Sequence, residues 1–124
     1  MDHRGLCERT AEFARKAGEF ARPLLQNSWV RNAAEQLMRA AESVAANYRA
    51  AGLARSPAEF VSTIGLVRTE SDEAVYWLLN LSDAGLAHLP LLKEARELAK
   101  IFAASYRTAK GNLQRQSRKR SIGR

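Results

Sequence analysis

The 124-residue sequence contains very little of the chemistry from which catalytic and metal sites are made. It has one cysteine, Cys7, and two histidines, His3 and His88, too few for a Cys/His metal cluster. A single cysteine also excludes an internal disulfide and is typical of a reducing compartment. Nucleophilic catalysis needs a base within hydrogen-bond reach of the nucleophile. The sequence shows no histidine at a spacing from Cys7 that predicts such a pair. We therefore expect no catalytic residue, no metal site, no cofactor and no enzymatic activity.

Long apolar runs and strand-like patterns are missing as well. No stretch approaches the roughly 18 apolar residues of a membrane span. Residues 1–4 lead into an amphipathic segment instead of the apolar core of a secretion signal. These features predict a cytoplasmic protein without a membrane partner. The alternation of apolar and polar residues that is typical of strands does not occur in the sequence.

Four stretches show helical periodicity instead. In each, apolar residues recur at three- and four-residue steps and would share one face of a helix. The stripes run from Leu6 to Leu24, from Val30 to Tyr48, from Phe60 to Leu81 and from Leu91 to Tyr106. A chain of this length suffices for one core but not for two.

Signals for helix ends divide these stretches. The run 56–59 (Ser-Pro-Ala-Glu) is typical of a helix start, in which the serine and the glutamate cap each other's amides. Gly52 and Gly85, each followed by leucine, predict Schellman ends with a left-handed glycine. The connections at 52–56 and 85–90 are short, so consecutive helices should be antiparallel neighbours. The sequence therefore predicts an all-α, antiparallel up-down-up-down four-helix bundle.

The net charge of +7 belongs to the C-terminal end of the chain. Residues 1–106 balance 13 cations against 13 acids, whereas residues 107–124 contain seven cations and no acid. The seven cations are Arg107, Lys110, Arg115, Arg118, Lys119, Arg120 and Arg124. We expect a bundle domain over 1–112 and a basic tail over 113–124, which should be disordered because its charges repel and it has little to bury.

The basic end predicts contacts with the phosphates of a nucleic acid. Such contacts release counterions and carry no sequence information, so we expect salt-dependent binding with weak sequence preference. RNA is expected in preference to DNA. The alternative is a solubilising terminus, or cations that stabilise the helix dipole.

The third stretch is apolar on more than one face. On a helical wheel centred on Ser71, Trp77 and Leu66 lie together on one side, and Tyr76 lies on another. One interpretation is that a wide tryptophan packs at the margin of the bundle. The other, which we favour, is a subunit interface, because aromatic residues are enriched there.

The acidic residues of the same stretch have two interpretations. Glu70 and Glu73 could belong to a di-iron site, but such bundles need Glu-x-x-His pairs, which this sequence lacks. We expect these glutamates to form ion pairs at the subunit interface with basic residues such as Arg39 or Arg49.

Several segments together resemble a known bacterial family. They are 36–51 (QLMRAAESVAANYRAA), 54–60 (ARSPAEF), 70–78 (ESDEAVYWL) and 92–98 (LKEAREL). In this order they are similar to the second helix, the second turn, the third helix and the fourth helix of the four helix bundle protein family. This family is also called the 23S rRNA intervening-sequence protein or S23 family. The resemblance covers roughly residues 8–112.

The resemblance implies a four-helix bundle that assembles into a ring, commonly a homopentamer, without enzymatic activity. Some members of the family are encoded inside intervening sequences of 23S rRNA genes. A related branch serves diversity-generating retroelements as an accessory protein that binds reverse transcriptase and nucleic acid. Two functions therefore remain open: an oligomeric nucleic-acid-binding bundle, and a scaffold that holds a protein such as a reverse transcriptase.

Overall fold

The computed structural model describes residues 1–123, which form four α-helices and one short 3-10 helix. Helix α1 is His3–Ala21 and is followed by the 3-10 helix Arg22–Gln26. Helices α2, α3 and α4 are Arg31–Ala51, Pro57–Asp83 and Leu89–Ile122. No strand occurs in this range. The predicted all-α class is confirmed.

Each helix packs against the next helix in the chain, and α1 closes the bundle against α4 over a smaller contact. The core between them is apolar, and its largest fully buried side chains include Phe13, Leu37, Ile64, Leu81, Leu91, Leu98 and Phe102. Two hydroxyls lie in it, and each donates to a carbonyl one turn back, Thr10 to Leu6 and Ser71 to Val67. Within residues 1–123, no helix combines the length and the apolar character that crossing a bilayer requires.

The end of α3 follows the predicted signal, whereas its start shows only the serine half of the predicted cap. Ser56 accepts a hydrogen bond from the amide of Glu59 at 3.1 Å. The Glu59 carboxylate lies 3.5 Å from Arg55 instead of capping Ser56. At the other end, Gly85 has a φ of 87°, and the amide of Leu86 donates to the carbonyl of Leu81 at 2.8 Å. This hydrogen bond is the one that defines a Schellman end.

The predicted Schellman end at Gly52 is wrong. Gly52 has a right-handed φ of −66°, and the chain leaves α2 through tight turns in which Leu53 donates to the carbonyl of Ala50. A Cβ atom at Gly52 would lie 2.3 Å from Nε2 of His3. The glycine is therefore needed because the His3 ring approaches the backbone, and not because the turn is left-handed.

The tail expected to be disordered is helical as far as the structure describes it. Helix α4 continues without a break through residue 112 to Ile122. From Gln114 onward every described side chain is exposed, so the last turns extend beyond the packed part of the bundle. The prediction relied on charge repulsion and on the lack of apolar residues to bury. It neglected the good helix propensity of Leu, Gln, Arg and Lys and the favourable position of cations at a helix C-terminus.

An ion pair joins the two helices that share the smallest contact. The guanidinium of Arg9 on α1 donates to both carboxylate oxygens of Glu94 on α4, at 2.8 and 2.6 Å. Both side chains are largely shielded from solvent. The hydrogen bonds from Arg9 to Glu94 raise the pKa of the guanidinium above its ordinary value. The pair therefore holds Glu94 toward α1.

Substitution of two glycines by alanine should have opposite effects on stability. Gly85→Ala should lower the free energy of unfolding by about 1 kcal/mol, because alanine resists the left-handed conformation even though nothing crowds its Cβ. Gly111→Ala should raise it by about 0.5–1 kcal/mol, because Gly111 lies inside α4 in ordinary surroundings. Urea denaturation followed by circular dichroism measures both. A destabilised Gly111→Ala variant would contradict the continuous helix.

Candidate nucleic-acid interface

The packing of α4 determines which of its side chains face the solvent. Leu91, Ala95, Leu98 and Phe102 are buried in the core and lie on one side of the helix. At about 100° per residue, the direction opposite to these four side chains passes through Arg96, Lys100 and Arg107. The outward face of α4 therefore carries cations.

These cations form a continuous row, which we call the basic stripe. It lies within an arc of about 100° and extends over about 38 Å of helix, given about 1.5 Å per residue. Its members are Lys93, Arg96, Lys100, Arg107, Lys110 and Arg118, and all six are exposed. No aspartate or glutamate lies within this arc in the part of α4 that the structure describes.

The structure distributes the predicted phosphate-binding residues in two groups. Arg107, Lys110 and Arg118 belong to the basic stripe. Arg115, Lys119 and Arg120 are also exposed but lie on other sides of the extended end of α4. Arg124 lies outside the described residues.

Sequence reasoning missed the first half of the stripe. Lys93, Arg96 and Lys100 alternate with Glu94 and Glu97, so the segment is balanced when its charges are counted along the chain. In space the charges separate in part, because Glu94 turns to α1 and pairs with Arg9 while the cations face outward and Glu97 lies exposed at the edge of their arc. A helical wheel of the fourth stretch would have shown this separation.

An aromatic side chain lies at the edge of the stripe that faces α3. The Tyr106 ring is half-buried, and the Arg68 guanidinium carbon of α3 lies 5.3 Å from its centroid. Nζ of Lys110 lies 5.6 Å from the same centroid. These distances are within the range of cation–π interactions. A cation of the stripe, a cation of α3 and an aromatic ring therefore meet at one place.

The structure also shows where the predicted interface residues of α3 lie. Leu66 and Tyr76 are 53% and 58% exposed, as an unoccupied interface would require. Trp77 is half-buried and packs against the bundle core, and the Tyr76 ring lies edge-on to it with centroids 4.8 Å apart. Packing at the margin of the bundle therefore describes Trp77. The exposure of Leu66 and Tyr76 fits the subunit-interface interpretation better.

The acidic residues of α3 have their partner within the same chain. Arg39 of α2 lies 3.1 Å from a carboxylate oxygen of Glu70 and also pairs with Glu73. The side chain of Glu70 is only 17% exposed, so this contact is partly shielded from water. These pairs join α2 to α3 within one chain, and a role of these residues at a subunit interface stays a prediction. Arg49 is exposed on α2 and lines a different groove, together with His3 and Cys7.

The expectation that Cys7 lacks a histidine partner is wrong. Helix α1 begins at His3, which places Nε2 of His3 3.3 Å from Sγ of Cys7 one turn later. The His3 ring also packs on Tyr48 at a centroid distance of 4.8 Å, and burial raises the pKa of the Tyr48 hydroxyl. Among the residues that the structure describes, no group of three or more potential metal ligands occurs.

Removal of Arg39 should destabilise the folded chain more than removal of an exposed arginine. Arg39→Ala should lower the free energy of unfolding by about 1 kcal/mol, because it leaves the shielded Glu70 carboxylate without its cation. Arg31→Ala is the matched control, since Arg31 makes a single exposed pair with Glu35. Its effect should be about 0.3 kcal/mol. Equal effects of the two substitutions in urea denaturation would contradict the assignment of Arg39 to the α2–α3 contact.

Comparison with solved structures shows a similarity of fold to a protein of a named family. No protein-family profile matches the chain, and no curated protein matches it. The chain does match a crystal structure of a protein of unknown function from the S23 ribosomal protein family of Bacteroides thetaiotaomicron. The TM-score is 0.73 at 22% sequence identity, and the match covers 81% of this chain and 96% of the other. The chain therefore has the fold of a protein from the S23 ribosomal protein family, the family that its sequence motifs resemble.

Proposed function

We propose that this protein binds RNA without catalysing a reaction and that the basic stripe of α4 provides the phosphate contacts. The observation that carries the proposal is the alignment of six exposed cations within one arc of about 100° on α4, with Glu97 as an exposed acid beside that arc. A row of this kind neutralises phosphates and releases their counterions, which gives affinity that falls steeply with salt. Phosphate contacts do not read bases, so the binding should show weak sequence preference.

RNA is preferred to DNA in this proposal because of the similarities of the chain. Its structural neighbour comes from a family named for the ribosome, and its sequence motifs resemble a family named for intervening sequences of 23S rRNA. The exposed cations at the end of α4 would add phosphate contacts on other sides of the helix. Stabilisation of the helix dipole accounts for cations only in the last turn, so it does not explain Lys93, Arg96 or Lys100.

A second candidate function, assembly with other protein chains, is favoured by the outer face of α3. Leu66 and Tyr76 are large apolar side chains that remain more than half exposed. We propose that the face around Leu66 contacts a second copy of the chain, with a homopentamer as the arrangement that the family resemblance implies. A ring would repeat the basic stripe around an axis and raise RNA avidity without new contacts. A scaffold that holds a reverse transcriptase is the alternative use of the same face.

RNA binding should depend on the stripe and not merely on net charge. Replacement of Arg96, Lys100 and Arg107 by glutamine should weaken binding and lower the slope of log affinity against log salt by about 2, given about 0.7 per phosphate contact with a single strand. Fluorescence anisotropy of a labelled single-stranded RNA at several salt concentrations measures both quantities.

The matched control removes the same charge elsewhere. Arg4, Arg31 and Arg55 are exposed and form only exposed ion pairs along one helix or at its start. Their replacement by glutamine should leave the slope close to that of the unmodified protein. An equal loss in both triple variants would show that only net charge matters. If the unmodified protein does not bind RNA at low salt, the RNA proposal is wrong, and assembly with a protein partner becomes the favoured function.

Self-association should be lost when a charge is placed on the outer face of α3. Leu66→Glu should lower the molar mass measured by light scattering while the helical circular dichroism stays unchanged, because Leu66 is exposed and packs little against the core. Leu53→Glu is the control, since Leu53 is 78% exposed on the α2–α3 connection. An unmodified protein that is monomeric at all concentrations would contradict this assembly.

A further inference from the structure

A groove lies beside the basic stripe, between α3 and the second half of α4. Its volume is about 630 Å³, and its lining includes Gly65, Arg68 and Tyr106. This volume is within the range of sites that hold small organic groups. Seven of its eight lining residues belong to α3, and it meets α4 at Tyr106, whose ring Lys110 of the stripe contacts.

One side of the groove is formed by the Tyr106 ring with the Arg68 guanidinium over it, a pair that we call the platform. Tyr106 fits closely against α3 at Gly65, because a Cβ atom there would lie 3.2 Å from the tyrosine ring. The Arg68 guanidinium carbon lies over the ring at 5.3 Å from its centroid, and Nζ of Lys110 lies over the ring at 5.6 Å, so the exposed guanidinium is the plane that a base can reach. Aromatic rings and guanidinium planes are the surfaces on which unpaired bases stack in proteins that bind single strands.

From this juxtaposition we propose that the protein binds unpaired RNA, with phosphates on the α4 stripe and a base in the groove on the Arg68–Tyr106 platform. The proposal rests on the proposed function, because the stripe supplies the phosphate contacts that bring the strand to the groove. Stacking accepts every base, so the site adds selection for unpaired nucleotides without adding sequence specificity. A duplex keeps its bases paired and would contact the stripe alone.

The carboxylates of the groove fit a base better than a phosphate. Asp72 and Glu73 lie in the lining beyond Arg68, on α3, and none lies in the stripe itself. Carboxylates repel phosphates, whereas they do not repel the uncharged bases. Phosphates are therefore directed to α4 and bases to the groove.

The test compares a short single-stranded RNA with an abasic strand of the same length, which retains the phosphates. The unmodified protein should bind the RNA at least about five-fold more tightly than the abasic strand, as expected when one base stacks. Arg68→Lys keeps the charge but removes the planar guanidinium, so it should abolish this preference and leave the affinity for the abasic strand unchanged. Arg68 is exposed, so the variant should fold normally.

Variants of Tyr106 give a second, independent reading. Tyr106→Phe retains the ring and should retain the preference, whereas Tyr106→Leu should lose it, with folding checked by circular dichroism. Equal affinity of the unmodified protein for the RNA and the abasic strand would overturn the stacking site while leaving phosphate binding intact. An Arg68→Lys variant that keeps the full preference would overturn it too. If neither strand binds at low salt, the proposed function fails and the stacking site fails with it.

Discussion

The burial of a narrow apolar stripe of α4 against α3 and the core determines where the charges of this protein lie. Leu91, Ala95, Leu98 and Phe102 are buried on one side of the helix, and this fixes its rotation about its own axis. Once the rotation is fixed, the cations at 93, 96, 100 and 107 must face the solvent together. Glu94 lies on neither of these sides and is held by Arg9 of α1. The packed core therefore separates charges that alternate along the sequence.

Continuity of α4 carries the same rotation beyond the bundle. The helix has 34 residues and α2 has 21, so its C-terminal turns extend past the packed part with their cations in the register set by the core. A disordered tail would lose conformational entropy when it bound a polyanion. A helix that already holds its cations in one row has less entropy to lose, which favours a surface organised before binding.

Most of the fold was predictable because its signals are local. The periodic apolar residues gave four helices, and the left-handed Gly85 was predictable from the Ala-Gly-Leu sequence at 84–86. The same pattern at Gly52 was misleading, since that glycine accommodates the ring of His3, which lies 49 residues away in the chain. The contact of His3 with Cys7 was missed because α1 begins earlier than the apolar stripe indicates. These two predictions failed for different reasons. At Gly52 a contact with a distant part of the chain determines the need for glycine, and at the start of α1 no apolar residue marks where the helix begins.

The candidate site was predictable only in its C-terminal half. Charge counted along the chain pointed to residues after 106, whereas the stripe begins at Lys93. The Arg68–Tyr106 platform depends on the packing of α3 against α4, which no pattern within either helix contains. Arg39 was one of two arginines named as partners of Glu70 and Glu73, and the structure was required to show that it pairs with them within the same chain.

Lysine footprinting tests the central claim, that RNA lies along the outward face of α4, most directly. The chain has five lysines, of which Lys93, Lys100, Lys110 and Lys119 lie on α4, and Lys16 lies on α1 as an internal control. Acetylation of the protein with and without RNA, followed by mass spectrometry, should show protection of the three lysines of the stripe and none of Lys16. Protection of Lys119 alone would confine RNA to the end of the helix and contradict the stripe. Equal protection of Lys16 would show that binding follows net charge and not this face.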